Sequence, residues 1–80
     1  MAVSLKDYVQ AILSELVDHP NDIQLTELVG KKSIVFELRC NSEDVGKVIG
    51  KNGKTISAVR TLIGSVAARQ GQRALIEVVE

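Results

Sequence analysis

The sequence predicts an α+β domain with a three-stranded mixed sheet and three helices packed on one face of that sheet. Two segments repeat apolar residues every three or four positions, which is typical of amphipathic helices. Two others alternate apolar and polar residues, and a segment near the C-terminus is rich in strand-forming residues. Together with a short helix before the longer one, the predicted order is helix, strand, strand, helix, helix, strand.

The first helix is predicted to begin at Ser4. Ser4 and Asp7 have the spacing of a capping box, in which each side chain satisfies the backbone amide of the other. The helix should end before His19-Pro20, because the residue ahead of a proline disfavours helical geometry. The apolar positions that define this helix are Leu5, Val9, Ile12, Leu13, Leu16 and Val17.

Three strands follow from the alternation of apolar residues. The first carries Ile23, Leu25 and Val29, and the second places Ile34, Phe36, Leu38 and Cys40 on one face. Because only the turn Gly30-Lys31-Lys32 separates them, these two strands should pair antiparallel. The third strand runs from about Arg73 to Val79, after a helical crossover that brings it parallel to its neighbour.

A short helix is predicted between the second strand and Gly50. Asn41 can cap it, and Glu43 and Asp44 fall in its first turn, where the helix dipole favours acids. A longer helix starts after Gly53 and ends near Gly71. The apolar residues of the short helix are Val45, Val48 and Ile49, and those of the long helix are Ile56, Val59, Ile63, Val66 and Ala67.

The connection between these helices is the most informative part of the chain. Residues 48 to 56 read Val-Ile-Gly-Lys-Asn-Gly-Lys-Thr-Ile. Gly50 and Gly53 permit a tight turn, so that the second helix begins with free amides facing whatever approaches the loop. Unpaired amides and the helix dipole attract anions, and Lys51 and Lys54 add positive charge at the same place.

The distribution of charge supports an anionic partner, although the net charge is zero. No acid lies between Val45 and Ile76, and the acids gather in residues 1 to 44. A solvated helix face is the alternative reading of such a cationic segment, but its coincidence with the glycine loop favours a nucleic-acid backbone. The cations of this segment are Lys47, Lys51, Lys54, Arg60, Arg69 and Arg73.

Size and composition exclude several classes of protein. Eighty residues allow one domain, residues 1–80. Only Tyr8 and Phe36 are aromatic, so binding by stacking of bases on exposed rings is not expected. Cys40 is alone and is expected to be a small buried residue at a strand end, and His19 has no second ligand nearby, so neither a disulfide nor a metal site is expected. No leader or membrane span is apparent, which predicts a cytoplasmic protein. No cofactor, small-molecule substrate or membrane partner is expected.

The segment Gly53-Lys54-Thr55 matches the end of a P-loop, which is typical of enzymes that hydrolyse nucleotides. The first glycine of that motif would have to be residue 48, which is Val48. A short helix rather than a buried strand is predicted before the loop, and no nucleophile, base and orienting acid occur as a set. The chain is therefore not expected to be an enzyme.

The segment from Val48 to Ile56 resembles the signature of the K-homology (KH) domain, an aliphatic pair followed by Gly-x-x-Gly and a further aliphatic residue. The order of elements resembles the bacterial, type II, topology. The resemblance is closest to the small bacterial single-domain KH proteins of the KhpA group. It implies a KH motif core over about residues 32–80, with an N-terminal helix and strand extension over about residues 4–29.

This resemblance implies RNA binding without catalysis, in post-transcriptional control or as an RNA chaperone. A Gly-x-x-Gly loop in KH domains clamps the sugar-phosphate backbone of single-stranded RNA, and bases lie in an apolar groove beside it. Helix periodicity assigns Ile49 and Ile56 equally well to the groove floor or to the core. The implied RNA contacts are Gly50, Lys51, Asn52 and Gly53, the outer cations Lys47 and Lys54, the groove residues Val45, Ile49 and Ile56, and Lys31 and Lys32 at the far side of the groove.

The alternative function is a protein-interaction module. The apolar arc of the long helix is broader than one buried stripe requires, which predicts that Leu62 and Val66 lie at a dimer contact. The resemblance implies a homodimer, or a heterodimer with a larger KH-containing RNA-binding protein. In that case the chain would act mainly through its partner.

Overall fold

The computed structural model describes residues 4–79 and confirms the predicted order of helices and strands. Three single-turn 3-10 helices, which the sequence pattern did not predict, lie at Pro20–Asp22, Ser42–Asp44 and Lys51–Gly53. The main elements are α1 (Leu5–Leu16), β1 (Gln24–Val29), β2 (Ser33–Arg39), α2 (Val45–Ile49), α3 (Lys54–Arg69) and β3 (Arg73–Val78).

The three strands form one mixed sheet in the order β1-β2-β3. β1 runs antiparallel to β2, with Leu25 opposite Leu38, and β3 runs parallel to β2, with Ile76 beside Phe36. The tight turn and the two-helix crossover produce these directions as predicted. The carboxyl ends of β2 and β3 therefore lie at the same edge of the sheet, where α2 begins.

The core lies between the helices and one face of the sheet. β2 alternates strictly, with Ile34, Phe36 and Leu38 buried and Val35 and Glu37 partly exposed on the other face. Burying each large aliphatic side chain stabilises the fold by about 1.5–3 kcal/mol. The buried hydrophobic residues are Leu5, Val9, Leu13, Val17, Ile34, Phe36, Leu38, Val48, Ile56, Val59, Ile63, Ala67 and Ile76.

Strand β1 is the least covered element. The alternation of its apolar residues suggested that Val29 faces the core, but the structure leaves Val29 63% exposed. Val29 pairs with Ile34 on the helix-facing side of the sheet, yet the helices cover β2 and β3 and leave this end of the edge strand bare. The alternation of residues predicts which face of a strand points toward the helices. How far the helices extend over that face depends on tertiary packing.

The predicted helix caps are present. Ser4 Oγ accepts a hydrogen bond from the Asp7 amide at 3.2 Å, which is the Ser4 half of the capping box. Asn41 Oδ1 accepts from the Glu43 amide at 2.9 Å and caps the 3-10 turn that leads into α2. Within the described range, none of the helices is both long and apolar enough to span a membrane.

Candidate nucleic-acid interface

The loop between α2 and α3 is built from backbone conformations that few residues adopt. Gly50 has φ 78° and ψ 171°, and its amide donates to the Gly46 carbonyl at 2.8 Å, which ends α2. Gly53 has φ 73° and forms the N-cap of α3. Both values lie in the positive φ region that favours glycine, so the two glycines of the motif have a direct structural cause.

Gly50 is also required by a close approach. A Cβ atom on Gly50 would lie 2.8 Å from the Thr55 backbone nitrogen, which is closer than real Cβ atoms come to such an atom. A Cβ atom on Gly53 would meet nothing within 4 Å. Gly50 therefore allows the loop to fold against the start of α3, whereas Gly53 is required for its conformation alone.

Asn52 has a backbone role that sequence reasoning missed. Its φ of 56° and ψ of 27° are left-handed, a conformation that asparagine adopts more readily than most residues. The signal that could have revealed this was the dipeptide Asn52-Gly53, which is typical of turns with positive φ. The side chain type at position 52 is thus explained by the turn as well as by any contact with a ligand.

The loop presents cations that have no acidic partner. Lys51 and Lys54 are exposed, and among residues 4–79 neither forms a salt bridge. The first turn of α3 has no side-chain cap, and the Gly53 and Lys54 amides donate to the Gly50 and Lys51 carbonyls. Because helix N-termini and unpaired lysines both favour negative charge, this arrangement can accept a phosphate group.

Lys47, in contrast, is held by acids. Its Nζ atom lies 2.7 Å from Asp18 Oδ2 and 3.8 Å from Asp44 Oδ1. The hydrogen bond and the charge of Asp18 raise the pKa of Lys47, and the same two effects from Lys47 lower the pKa of Asp18. The structure therefore places Lys47 next to the loop, but with its charge directed toward the α1–β1 connection.

Asp44 lies in the first helical turn, as the sequence predicted, but its burial was not predicted. The structure buries its side chain completely. Its carboxylate accepts hydrogen bonds from the amides of Asp18, at 3.2 Å, and His19, at 2.9 Å. Those donors are distant in sequence, so no local pattern could have revealed the contact.

An open groove of about 380 Å³ adjoins the start of α2 and is lined by Cys40, Ser42, Val45 and Val79. Val45, which is predicted to lie at the groove floor, is one of these lining residues. Cys40 is half-buried at this surface rather than fully buried, and burial, followed by the charge of Asp44, raises the pKa of its thiol. Cys40, Ser42 and Val79 are the groove residues that the sequence did not suggest.

The remaining groove candidates divide between surface and core. Ile49 is half-buried and packs against the core, and Ile56 is only 6% exposed and belongs to the core itself. Ile56 therefore offers little surface to a base. Arg60, one turn further along α3, donates from its guanidinium to the Ile76 carbonyl at 3.1 Å, which fastens α3 to β3.

The structure places Lys31 and Lys32, which are predicted at the far side of the groove, at the end of α3 opposite the loop. The Lys32 carbonyl accepts from the Arg73 amide at 2.8 Å, just beyond the C-terminal end of α3. The loop lies at the other end of that 16-residue helix, which spans about 24 Å at 1.5 Å per residue. The turn between antiparallel strands is fixed at the opposite end of the sheet from α2.

The residues predicted at a dimer contact differ in exposure. Leu62 is 52% exposed, whereas Val66 is half-buried and packs against the core. His19 Nε2 lies 3.5 Å from Glu43 Oε1. Within residues 4–79, His, Cys, Asp and Glu side chains form no group of three that could hold a metal ion.

Comparison with known proteins matches residues 6–78 to the family model described as KhpA/KhpB, KH domain. Relatives named RNA-binding protein KhpA match almost end to end. The protein from Chlamydia caviae is 41% identical over 95% of this chain and 97% of its own length. The proteins from Clostridium perfringens and Aquifex aeolicus are 37% and 39% identical, over 94% and 96% of this chain and 100% and 98% of theirs.

Proposed function

The chain belongs to the KhpA/KhpB KH-domain family, and we propose that it binds single-stranded RNA with the loop from Gly50 to Gly53. Its order of elements and its mixed sheet are those of the type II KH fold. The relatives that carry the name RNA-binding protein KhpA support RNA as the ligand.

The observation that carries the proposal is the coincidence of three features at one corner. Gly50 and Gly53 shape a tight turn, α3 begins without a side-chain cap, and Lys51 and Lys54 have no acid beside them in the described part of the chain. Backbone amides and lysines together grip the sugar-phosphate backbone, as a Gly-x-x-Gly loop does for about four nucleotides. Lys51 and Asn52, exposed at the tip, are the closest contacts in this proposal.

The groove beside α2 receives the bases. Its side chains, Cys40, Ser42, Val45 and Val79, are small or aliphatic, and the raised pKa keeps the Cys40 thiol protonated near neutral pH. Such a surface accepts several bases with little discrimination. A backbone grip combined with weak base preference suits a protein that acts on many transcripts, as an RNA chaperone or a post-transcriptional regulator.

The test replaces both loop side chains, Lys51→Asp with Asn52→Asp. Two carboxylates then face the phosphates, while both glycines remain and aspartate tolerates the left-handed conformation at position 52. We expect RNA binding to be lost with an unchanged circular dichroism spectrum. Fluorescence anisotropy with a labelled oligoribonucleotide of about twelve nucleotides measures the affinity, and for the wild type its salt dependence should be about −0.7 per phosphate neutralised.

The matched control is Lys31→Asp with Lys32→Asn, which makes the same change of net charge at the other end of α3. Both lysines are exposed, so this variant should fold and bind RNA nearly as the wild type does. Equal loss of binding in the two double variants would show that overall charge, not the loop, governs the interaction.

A second function, pairing with another protein, is favoured by Leu62. Its side chain is half exposed on α3, and Val66 lies one turn further along. We propose that this surface mediates a homodimer, or a heterodimer with a larger KH-containing RNA-binding protein. Two grooves held together bind one RNA more tightly than either alone, because the second contact becomes intramolecular.

The test of this second proposal is Leu62→Glu, with Ser57→Glu on the same helix as the control. A buried carboxylate at a contact is costly, so Leu62→Glu should be monomeric, whereas Ser57→Glu should keep the oligomeric state of the wild type. Analytical ultracentrifugation measures both. A Leu62→Glu protein that associates as the wild type does would remove Leu62 from the interface.

A further inference from the structure

Asp44 is a fully buried charged side chain with no part in the RNA contacts proposed above. Burying a carboxylate is costly unless it is paired and hydrogen-bonded. Here Oδ1 accepts from the Asp18 amide, Oδ2 accepts from the His19 amide, and Lys47 Nζ lies 3.8 Å away. These contacts join the start of α2 to the main chain that follows α1.

Helix α2 depends on such an attachment. It has five residues, and helices of that length do not persist in isolation. Val48 anchors its middle in the core, and Gly50 ends it. Because α2 is only about 7.5 Å long at 1.5 Å per residue, a displacement at Asp44 moves the loop at its other end.

We propose that Asp44 is a positioning residue of the RNA-binding loop. By fastening the start of α2 to the amides of residues 18 and 19, it sets the place and direction of Gly50–Gly53 beside the groove. Lys47 belongs to the same anchor, through Asp18 and Asp44. This inference rests on the proposed function.

The first test is Asp44→Asn, measured by the same anisotropy assay. Asparagine has nearly the same shape, but one oxygen becomes an NH₂ group that faces an amide donor instead of accepting from it. We expect the affinity for the oligoribonucleotide to fall about three- to thirtyfold, the range typical of residues that act through others. The slope of affinity against salt should stay unchanged, because no phosphate contact is removed; Lys51→Ala should reduce that slope by about 0.7.

A core variant of α1 separates positioning from general loss of stability. Val9 is fully buried in α1, and Val9→Ala destabilises the fold while leaving the hydrogen-bond partners of Asp44 in place. At a temperature where circular dichroism shows both variants folded, Val9→Ala should bind RNA within about twofold of the wild type, a free-energy difference well under 1 kcal/mol. Equal losses in Val9→Ala and Asp44→Asn, or wild-type binding by Asp44→Asn, would overturn the proposal.

The wild-type protein supplies a measurement that does not depend on a variant folding. During titration with the same oligoribonucleotide, the amide resonances of Asp18 and His19 should shift in parallel with those of the loop, because Asp44 links them. If the loop resonances shift to saturation while those of residues 18 and 19 do not move, the inference is overturned and the proposed function still holds. A wild-type protein that binds no oligoribonucleotide overturns both.

Discussion

Replacing Gly50 with alanine should destabilise this protein far more than the same change at Gly53. Gly50 has φ 78° and ψ 171°, a region that is essentially restricted to glycine. An added Cβ atom would also lie 2.8 Å from the Thr55 backbone nitrogen, so the main chain at the start of α3 would have to move. Gly53 has a milder left-handed conformation and open space around it.

The magnitudes follow from these two geometries. Backbone strain at Gly50 costs about 1–3 kcal/mol, and the steric overlap costs a further 1–3 kcal/mol or so, which together make about 2–6 kcal/mol. For Gly53 the left-handed conformation alone costs alanine about 1–2 kcal/mol. A domain of this size has a total stability of about 4–12 kcal/mol, so the first substitution removes a large share of it.

Urea denaturation and thermal unfolding followed by circular dichroism measure both variants. Each kcal/mol lowers the midpoint of thermal unfolding by about 4–8 °C in a domain of 60–100 residues, so Gly50→Ala should melt about 8 °C or more below the wild type. Gly53→Ala is the matched control, since it adds the same methyl group three residues away. Equal losses of stability in the two variants would refute the assignment of a steric role to Gly50.

Three further predictions concern the surroundings of the loop. Lys47 holds the pKa of Asp18 below its ordinary value of 3.8. The ion pair therefore stabilises the fold above pH 3.8, and this contribution is lost as the pH falls through the lowered pKa. Carbonyl NMR should show that Lys47→Met returns the pKa of Asp18 toward 3.8. Because burial and the Asp44 carboxylate raise the pKa of Cys40, alkylation of its thiol by iodoacetamide at neutral pH should be slower than that of free cysteine. Asn52→Ala should cost about 1 kcal/mol in urea denaturation whereas Asn52→Gly should cost less, and equal losses would contradict the left-handed conformation.

The local pattern of the sequence was sufficient for the elements and their directions. Ser4 and Asn41 marked helix starts, Gly50 marked a helix end, and the alternation of β2 separated its buried face from its partly exposed face. These features depend on backbone hydrogen bonding and side-chain periodicity within a few residues. For the same reason, the sequence alone locates the loop.

The sequence could not show how distant segments meet at the site. It did not show that the strand directions place Lys31 and Lys32 at the end of α3 opposite the loop. It treated Lys47 as a free cation, although Asp18, far away in sequence, lies 2.7 Å from it. The distribution of charge along the sequence does not reveal such ion pairs, because tertiary packing determines which side chains meet.

By itself, the sequence determined the helices, the strands and the glycine turn, since each depends on neighbours within one or two turns of chain. Tertiary structure alone decided that Ile56 belongs to the core, that Cys40 and Val79 meet Val45 at a groove, and that Asp44 is buried against two amides from the α1–β1 connection. Burial and the pairing of charges depend on atoms brought together across the fold, and no spacing within the chain encodes those distances.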